Sequence, residues 1–368
     1  MQGQRLMSLD AFRGATIAGM ILVNNPGTWS DIYPQLRHAE WYGWTFTDWI
    51  FPFFLFIVGV AMTFSFAMRR ERGDTNAKLH AQVLKRSLLI FAFGMFLAGF
   101  PYFHLSTIRI PGVLQRIAVC FCIASFIMLH TNVRGQVYWL LGLLASYWLI
   151  MMYLPVPGAG SYEKGNNFAA YIDSLVLDGH MWSVSKTWDP EGTISTIPAV
   201  ATTLFGMLTG HWLRSKRSPE EKTAWMFVAG NLLLLLGAIL DIWQPISKSI
   251  WTSSYSIFMA GWALVCLACF YFLIDVKGYK AWAKPFVIYG MNAIAIFVLS
   301  GIVGRLTGLI KVDDGSGAEV TLHGYVYGHL FAPYASPVNA SLLFAICFVL
   351  ATFLVAWGMW KKKWFLKV

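Results

Sequence analysis

Asn24, His38, Glu40 and Asp48 are the residues of this chain whose types and spacing could do chemistry. They share the stretch 24–56, which reads NNPGTWSDIYPQLRHAEWYGWTFTDWIFPFFLF. An apolar run ends at Asn24, Asn25 and Pro26. A short aromatic and polar loop follows with His38, Glu40 and Trp41, and a second apolar run opens near Asp48 and Trp49. An imidazole titrates near 6.5 and is the usual general base at neutral pH. Ionisable groups at membrane depth cost free energy, so each is a functional candidate. Plainer roles fit the same residues. His38 could be an ordinary loop histidine among Trp41, Trp44 and Trp49, and Asp48 could stabilise a helix N-terminus through the macrodipole.

Other polar groups stand out against the apolar background. SLDAFRG (8–14) puts Asp10 and Arg13 three residues apart on one helix face. There they form either an interfacial ion pair that fixes the helix start or a contact for an anion. RIPGVLQR (109–116) places Arg116 inside an apolar run. A buried guanidinium needs a carboxylate, phosphate or carbonyl partner, and we expect a carboxylate (Asp48, Asp189 or Glu191) or a bound phosphate. Ser253, Ser254, Tyr255 and Asn292 of YGMN (289–292) are explained by hydrogen bonds between helices. Cys266 and Cys269 have redox-motif spacing but lack a surrounding βαβ pattern. The five cysteines sit in apolar runs and are expected to pack as small hydrophobes.

The elements that position these groups are membrane helices. Of 368 residues, 57% are hydrophobic and only 12% charged, against roughly 25% charged in soluble domains. The predicted fold is an all-α polytopic bundle forming a single domain, 1–368, with no long polar stretch to make a second one. Runs of about twenty apolar residues mark spans, and ten are predicted: 10–26, 47–68, 84–103, 112–131, 135–154, 194–213, 223–241, 253–274, 285–305 and 338–360. The segment 322–336 is short and interrupted by Pro333, and is expected to be re-entrant or interfacial. The N-terminal run lacks a small-residue cleavage site and is expected to stay.

Charge sets the orientation. With the N-terminus in the cytoplasm, Arg37, Arg109, Arg116, Lys164, Lys186, Lys248, Arg305 and Lys311 fall outside and the remaining 20 Lys and Arg inside. That bias predicts both termini in the cytoplasm and His38 outside. It also accounts for the net charge of +10 without nucleic acid. The long segment 155–193, with its WDPEG turn, is expected to form an ordered outer cap.

In order along nearly the whole chain, SLDAFRG, VN (23–24), HAEWYGWTFTDWIFPFFLFIVG (38–59), RIPGVLQR, LPVPG (154–158), DPEG (189–192) and YGMN resemble the catalytic membrane domain of the heparan-α-glucosaminide N-acetyltransferase family. The resemblance is to a bacterial member of that group, a form expected to lack the lumenal domain of the lysosomal one. The resemblance implies transfer of acetyl from cytoplasmic acetyl-CoA to the amine of a terminal glucosamine, without a metal. It places the active-site histidine on His38, a helix-end asparagine implicated in the chemistry on Asn24, and the Asp of the family's DxxFP segment on Asp48. The chain departs from the lysosomal form at Tyr42, where that form has Asn.

On this resemblance we assign Arg13, Arg116, Ser254 and Asn292 to acetyl-CoA, and Glu40, Trp41, Asp189 and Glu191 to the acceptor. The expected partners are acetyl-CoA, an aminosugar or aminosugar-containing glycan, and the lipid bilayer of a bacterial inner membrane; a homodimer is compatible with these. Two other classes share some of the features. An O-acyltransferase of an envelope polysaccharide would use the same chemistry on a hydroxyl. A sugar or proton-coupled transporter would use Asp48, Arg116 and His38 as a relay.

Overall fold

The computed structural model describes residues 6–154, 156, 161–315 and 317–366. LPVPG lies largely outside the described residues. All ten expected runs are helical, nine of them continuous: α1 (Met7–Asn24), α2 (Thr47–Glu71), α3 (Asn76–Gly99), α4 (Val113–His130), α5 (Val133–Tyr153), α7 (Thr196–Leu213), α8 (Pro219–Leu240), α9 (Ser253–Tyr271) and α13 (Pro337–Lys361). A π-helical turn extends α9 to Val276. The tenth run, expected as one span over 285–305, is instead broken into α10 (Lys284–Met291) and α11 (Ala293–Leu309), bent by 80°. The break falls at Asn292, whose side-chain amide donates to Trp364 O at 3.0 Å and accepts from Leu366 N at 3.0 Å. The C-terminal tail thus satisfies the buried Asn292 side chain at the point where the helical ladder stops.

Two short helices complete the set, α6 (Phe168–Val176) in the outer cap and α12 (Leu322–Leu330). At about 1.5 Å per residue α12 is far too short to cross a hydrocarbon core of about 30 Å. A small hairpin, β1 (Lys311–Asp313) with β2 (Glu319–Thr321), leads into it and is the one sheet among the described residues of an otherwise helical chain.

Among the described residues, seven helices are long and apolar enough to cross a membrane, or eight with α10 and α11 taken together. Neither α1 nor α7 is among the seven, because Asp10 and Arg13 lower the apolar character of one and four threonines with His211 that of the other. Both are enclosed by neighbouring helices, so their polar groups need not face lipid. Contact of α2 with α7 depends on glycine. A Cβ on Gly59 would fall 2.0 Å from Thr203 O, and one on Gly206 would fall 1.9 Å from Phe56 O. Small residues allow backbones to approach where no hydrophobic drive separates helix from lipid. The five thiols are all free, but Cys269 and Cys347 are exposed on the outside of the bundle rather than packed within it.

Candidate active site

Proline explains how α2 presents its first turn. Pro52 has no N–H, so the carbonyl of Asp48, four residues earlier, loses its helical donor. The Tyr255 hydroxyl on α9 supplies the replacement, donating to Asp48 O at 2.6 Å. The Asp48 side chain is then free to turn back on the preceding loop. Its Oδ2 accepts from the Ala39 and Thr45 amides, each at 3.0 Å, and from Thr45 Oγ1 at 3.1 Å. Its Oδ1 meets His38 Nδ1 at 2.5 Å. The Asp48 side chain is 1% exposed and the imidazole 50%.

A carboxylate against Nδ1 fixes the tautomer with the proton on Nδ1 and leaves Nε2 as a free acceptor toward solvent. The geometry is that of a base with its orienting acid. The Lys248 charge, more than burial, holds the His38 imidazole below its ordinary 6.5, against the upward pull of Asp48. At neutral pH His38 is therefore unprotonated and able to accept a proton.

Lys248 was not singled out from sequence, where it is one lysine in an outer loop. Folding brings that loop to His38. Gly43 N donates to Ile246 O at 2.8 Å, and Gly43 and Ser247 form a parallel bridge. Thr252 Oγ1 accepts from Ser247 N at 3.1 Å. Tyr255 is likewise more than a helix–helix bond, and Pro52 is the sequence signal that calls for such a donor.

The predicted site residues separate into groups. His38 and Asp48 meet. Asn24 is exposed at the last turn of α1, and no hydrogen bond joins it to His38. Glu40 is exposed beside the pair. Trp41, assigned to the acceptor, is instead buried; its Nε1 donates to Tyr162 O at 2.8 Å and its ring meets Trp188 edge-on at 5.0 Å. It pins the cap to the bundle.

Asp189 and Glu191, also assigned to the acceptor, are buried and engaged by protein. Arg109 donates to Asp189 through Nε at 2.8 Å and Nη2 at 2.6 Å, and to Glu191 at 2.5 Å. The Trp182 and Glu191 amides each donate to Asp189 at 2.9 Å. Burial opposes ionisation of Glu191, yet Lys248, Arg109 and Arg116 together hold its carboxyl below the ordinary 4.5. The turn closes on Gly192, where a Cβ would fall 2.0 Å from Asp173 Oδ2.

Arg116 corrects the expectation of a carboxylate partner. Its guanidinium, 2% exposed, donates to Gly192 O at 3.0 Å and to Ser195 Oγ, and lies 5.2 Å from the Trp251 ring centre. Arg109 reaches the carboxylates first, leaving Arg116 the carbonyl and hydroxyl of the same turn. Ser254 is also buried, against Thr252 and Gln244. Arg13 bonds Asp10 Oδ1 at 2.6 Å and Gly290 O at 2.8 Å, near the start of α1 and so about 16 Å of helix from Asn24. The four residues assigned to acetyl-CoA therefore form no single site: Arg13 and Asn292 lie toward one end of the bundle, Arg116 and Ser254 toward the end bearing His38. Among the described residues no group of three or more His, Cys, Asp or Glu is placed to hold a metal ion.

A family model described as heparan-alpha-glucosaminide N-acetyltransferase, catalytic, matches residues 5–243, which include His38, Asp48, Arg109, Arg116 and the cap. The human protein named heparan-alpha-glucosaminide N-acetyltransferase is 29% identical over 351 aligned residues, covering 80% of this chain and 52% of its own length. The mouse protein of the same name is also 29% identical, with 53% of its length covered. The chain thus spans about half the length of the curated relatives it matches.

Proposed function

Since the chain belongs to the heparan-alpha-glucosaminide N-acetyltransferase catalytic family, we propose that it moves acetyl from cytoplasmic acetyl-CoA to the amine of a glucosamine-type sugar on the outer face of a bacterial inner membrane. The observation that carries this is the His38–Asp48 pair at 2.5 Å with the imidazole half exposed.

In this mechanism the amine nitrogen attacks the thioester carbonyl while His38 Nε2 takes its proton. The C–N bond forms, the C–S bond breaks, and the imidazolium returns the proton to the departing thiolate. Asp48 holds the ring and stabilises the imidazolium. The exposed amide of Asn24 donates to the oxyanion, a contribution typically worth about 2.7–4 kcal/mol. The nucleotide head of acetyl-CoA stays on the side rich in Lys and Arg, where the field raises its local concentration. Its thin pantetheine arm threads between helices toward His38.

Lys248 gives the mechanism a pH signature. Its charge disfavours the imidazolium, so the acid limb of kcat/KM is expected below pH 6.5. Lys248→Met removes that repulsion and leaves the pull of Asp48 and Glu191, the other charges facing the ring. The His38 pKa then rises and the limb moves to higher pH. A limb that stays in place would speak against His38 as the base.

Sidedness tests the transmembrane part. In a variant without native cysteines, Glu40→Cys is expected to react with an impermeant thiol reagent on intact cells, and Lys362→Cys to be spared. In sealed right-side-out vesicles, acetyl-CoA loaded inside should acetylate an impermeant aminosugar outside, and acetyl-CoA supplied only outside should do so much more slowly. Equal rates from the two sides would contradict threading.

A further inference from the structure

We propose that one rim of the cap, made by α6 and the loop that follows α3, lies in the interfacial layer of the lipid leaflet on the His38 side. The cap is then held by the bilayer as well as by the bundle, whatever group the site transfers.

The composition of α6 poses the question. Its inner face is Ala169, Ala170 and Asp173, all buried. The two alanines share an apolar cluster with Tyr147 and Met151 of α5. Asp173 turns inward and accepts from the Asp189 and Thr193 amides at 3.2 and 2.8 Å. The opposite face carries Tyr171, Leu175 and Val176, the last two 62% and 64% exposed, with Ser174 the one polar residue among them. A helix that is apolar on both faces belongs in a core or against lipid, and only one face of α6 meets protein.

The depth of α6 follows from α5, which is long and apolar enough to cross a membrane. At about 1.5 Å per residue, Tyr147 and Met151 lie only about 9 and 3 Å before its end at Tyr153. The partners of α6 are therefore in the last turns of a span, and α6 sits at the membrane boundary rather than above it. Interfacial helices bury their apolar face about 5–10 Å into this layer. Tyrosine favours the same depth, and Tyr102, Tyr153 and Tyr171 are all exposed on these segments.

Continuity with the spans selects the occupant. Residues 96–108 contain no Lys, Arg, Asp or Glu. Phe93 and Phe96 are exposed on α3, itself a candidate span, and Phe96 meets the rings of Phe100 and Phe103, each at 5.7 Å. Beyond them Leu105 is 73% exposed. The cap is bonded to this loop, for Ile110 N donates to His180 O at 3.0 Å and the His180 ring donates to Ile108 O at 2.8 Å. One apolar strip thus runs from the lipid face of α3 through Phe103 and Leu105 to the end of α6. A second copy of the chain or a soluble partner is the competing occupant. Neither accounts for a strip that continues the lipid-facing surfaces of two spans.

The test uses the full chain, without its native cysteines, reconstituted in liposomes of phosphatidylcholine and phosphatidylglycerol. A nitroxide is attached at Leu105→Cys, Leu175→Cys or Val176→Cys, one position at a time. Each replaced side chain is exposed, so the label displaces no core packing. Leu88→Cys, exposed midway along α3, is the lipid reference, and Glu40→Cys, exposed in a loop, is the water reference. Collision with oxygen, which partitions into lipid, is compared with collision with a water-soluble nickel chelate. At all three positions the oxygen-to-nickel ratio is expected to exceed that at Glu40→Cys and to fall short of that at Leu88→Cys, as suits the interfacial layer. A ratio equal to that of Glu40→Cys in either segment places that segment in water and overturns the proposal. Low collision with both reagents means that protein covers the rim, and overturns it equally.

Discussion

Replacing His38 by alanine is expected to lower kcat by about 10²- to 10⁴-fold, the range that a positioned general base contributes. Binding of acetyl-CoA should change little, because its charged head is expected at the opposite end of the bundle. The fold should survive, since the imidazole is half exposed and makes a single hydrogen bond, to Asp48. Isothermal binding of CoA and single-turnover transfer separate the two effects. Near-normal turnover in His38→Ala would end the assignment. Incubation with labelled acetyl-CoA and no acceptor then distinguishes the routes open to the same residue. Label on the parent that is absent from His38→Ala marks an acetyl-imidazole, and its absence from both favours direct transfer.

Arg109→Leu is expected to destabilise the protein by about 3–5 kcal/mol, the cost of leaving a buried charge without its partner. The Asp189 and Glu191 side chains are 0% and 5% exposed, and Arg109 bonds both. The effect belongs to Arg109 rather than Arg116, whose loss strands a carbonyl and a hydroxyl but no carboxylate. The triple variant Arg109→Leu, Asp189→Asn, Glu191→Gln should recover much of the loss, because no uncompensated charge remains. The pH dependence has a definite sign. The folded-state pKa of Glu191 lies below its ordinary 4.5, so its stabilising contribution is complete above that value and is lost as pH falls through the depressed folded-state value. The gap between parent and Arg109→Leu should therefore be widest near neutrality and close in strong acid. Thermal unfolding in detergent across that range measures it, and an unchanged Tm at pH 7 would refute the assignment.

The helical bundle, its family and the two members of the His38–Asp48 pair were legible in the sequence. A span announces itself as a continuous apolar run because lipid cannot hydrogen-bond a backbone, whatever the helix later packs against. His38 and Asp48 are ten residues apart and joined by one tight loop, so their meeting is nearly local. The broken span at Asn292 has no mark in the apolar pattern, and the partners of the Asn292 side chain, Trp364 and Leu366, lie more than seventy residues away. Local apolar pattern carries no record of so distant a partner.

The same limit governs the charges. Sequence established that Arg116 must find a partner, since a guanidinium cannot be buried alone. Only the packing of α4 against the cap decided that Arg109 takes both carboxylates and Arg116 a carbonyl. The resemblance assigns Trp41 to the acceptor, and tertiary structure makes it a pin under the cap. Lys248 had no local mark, and it became a neighbour of His38 when the Gly43–Ser247 bridge joined two loops two hundred residues apart. The sequence by itself determined which groups needed partners and which runs would enter the membrane, because those requirements are set by desolvation. The tertiary structure decided which partner each group received, because that choice depends on distances between helices, and no single segment encodes them.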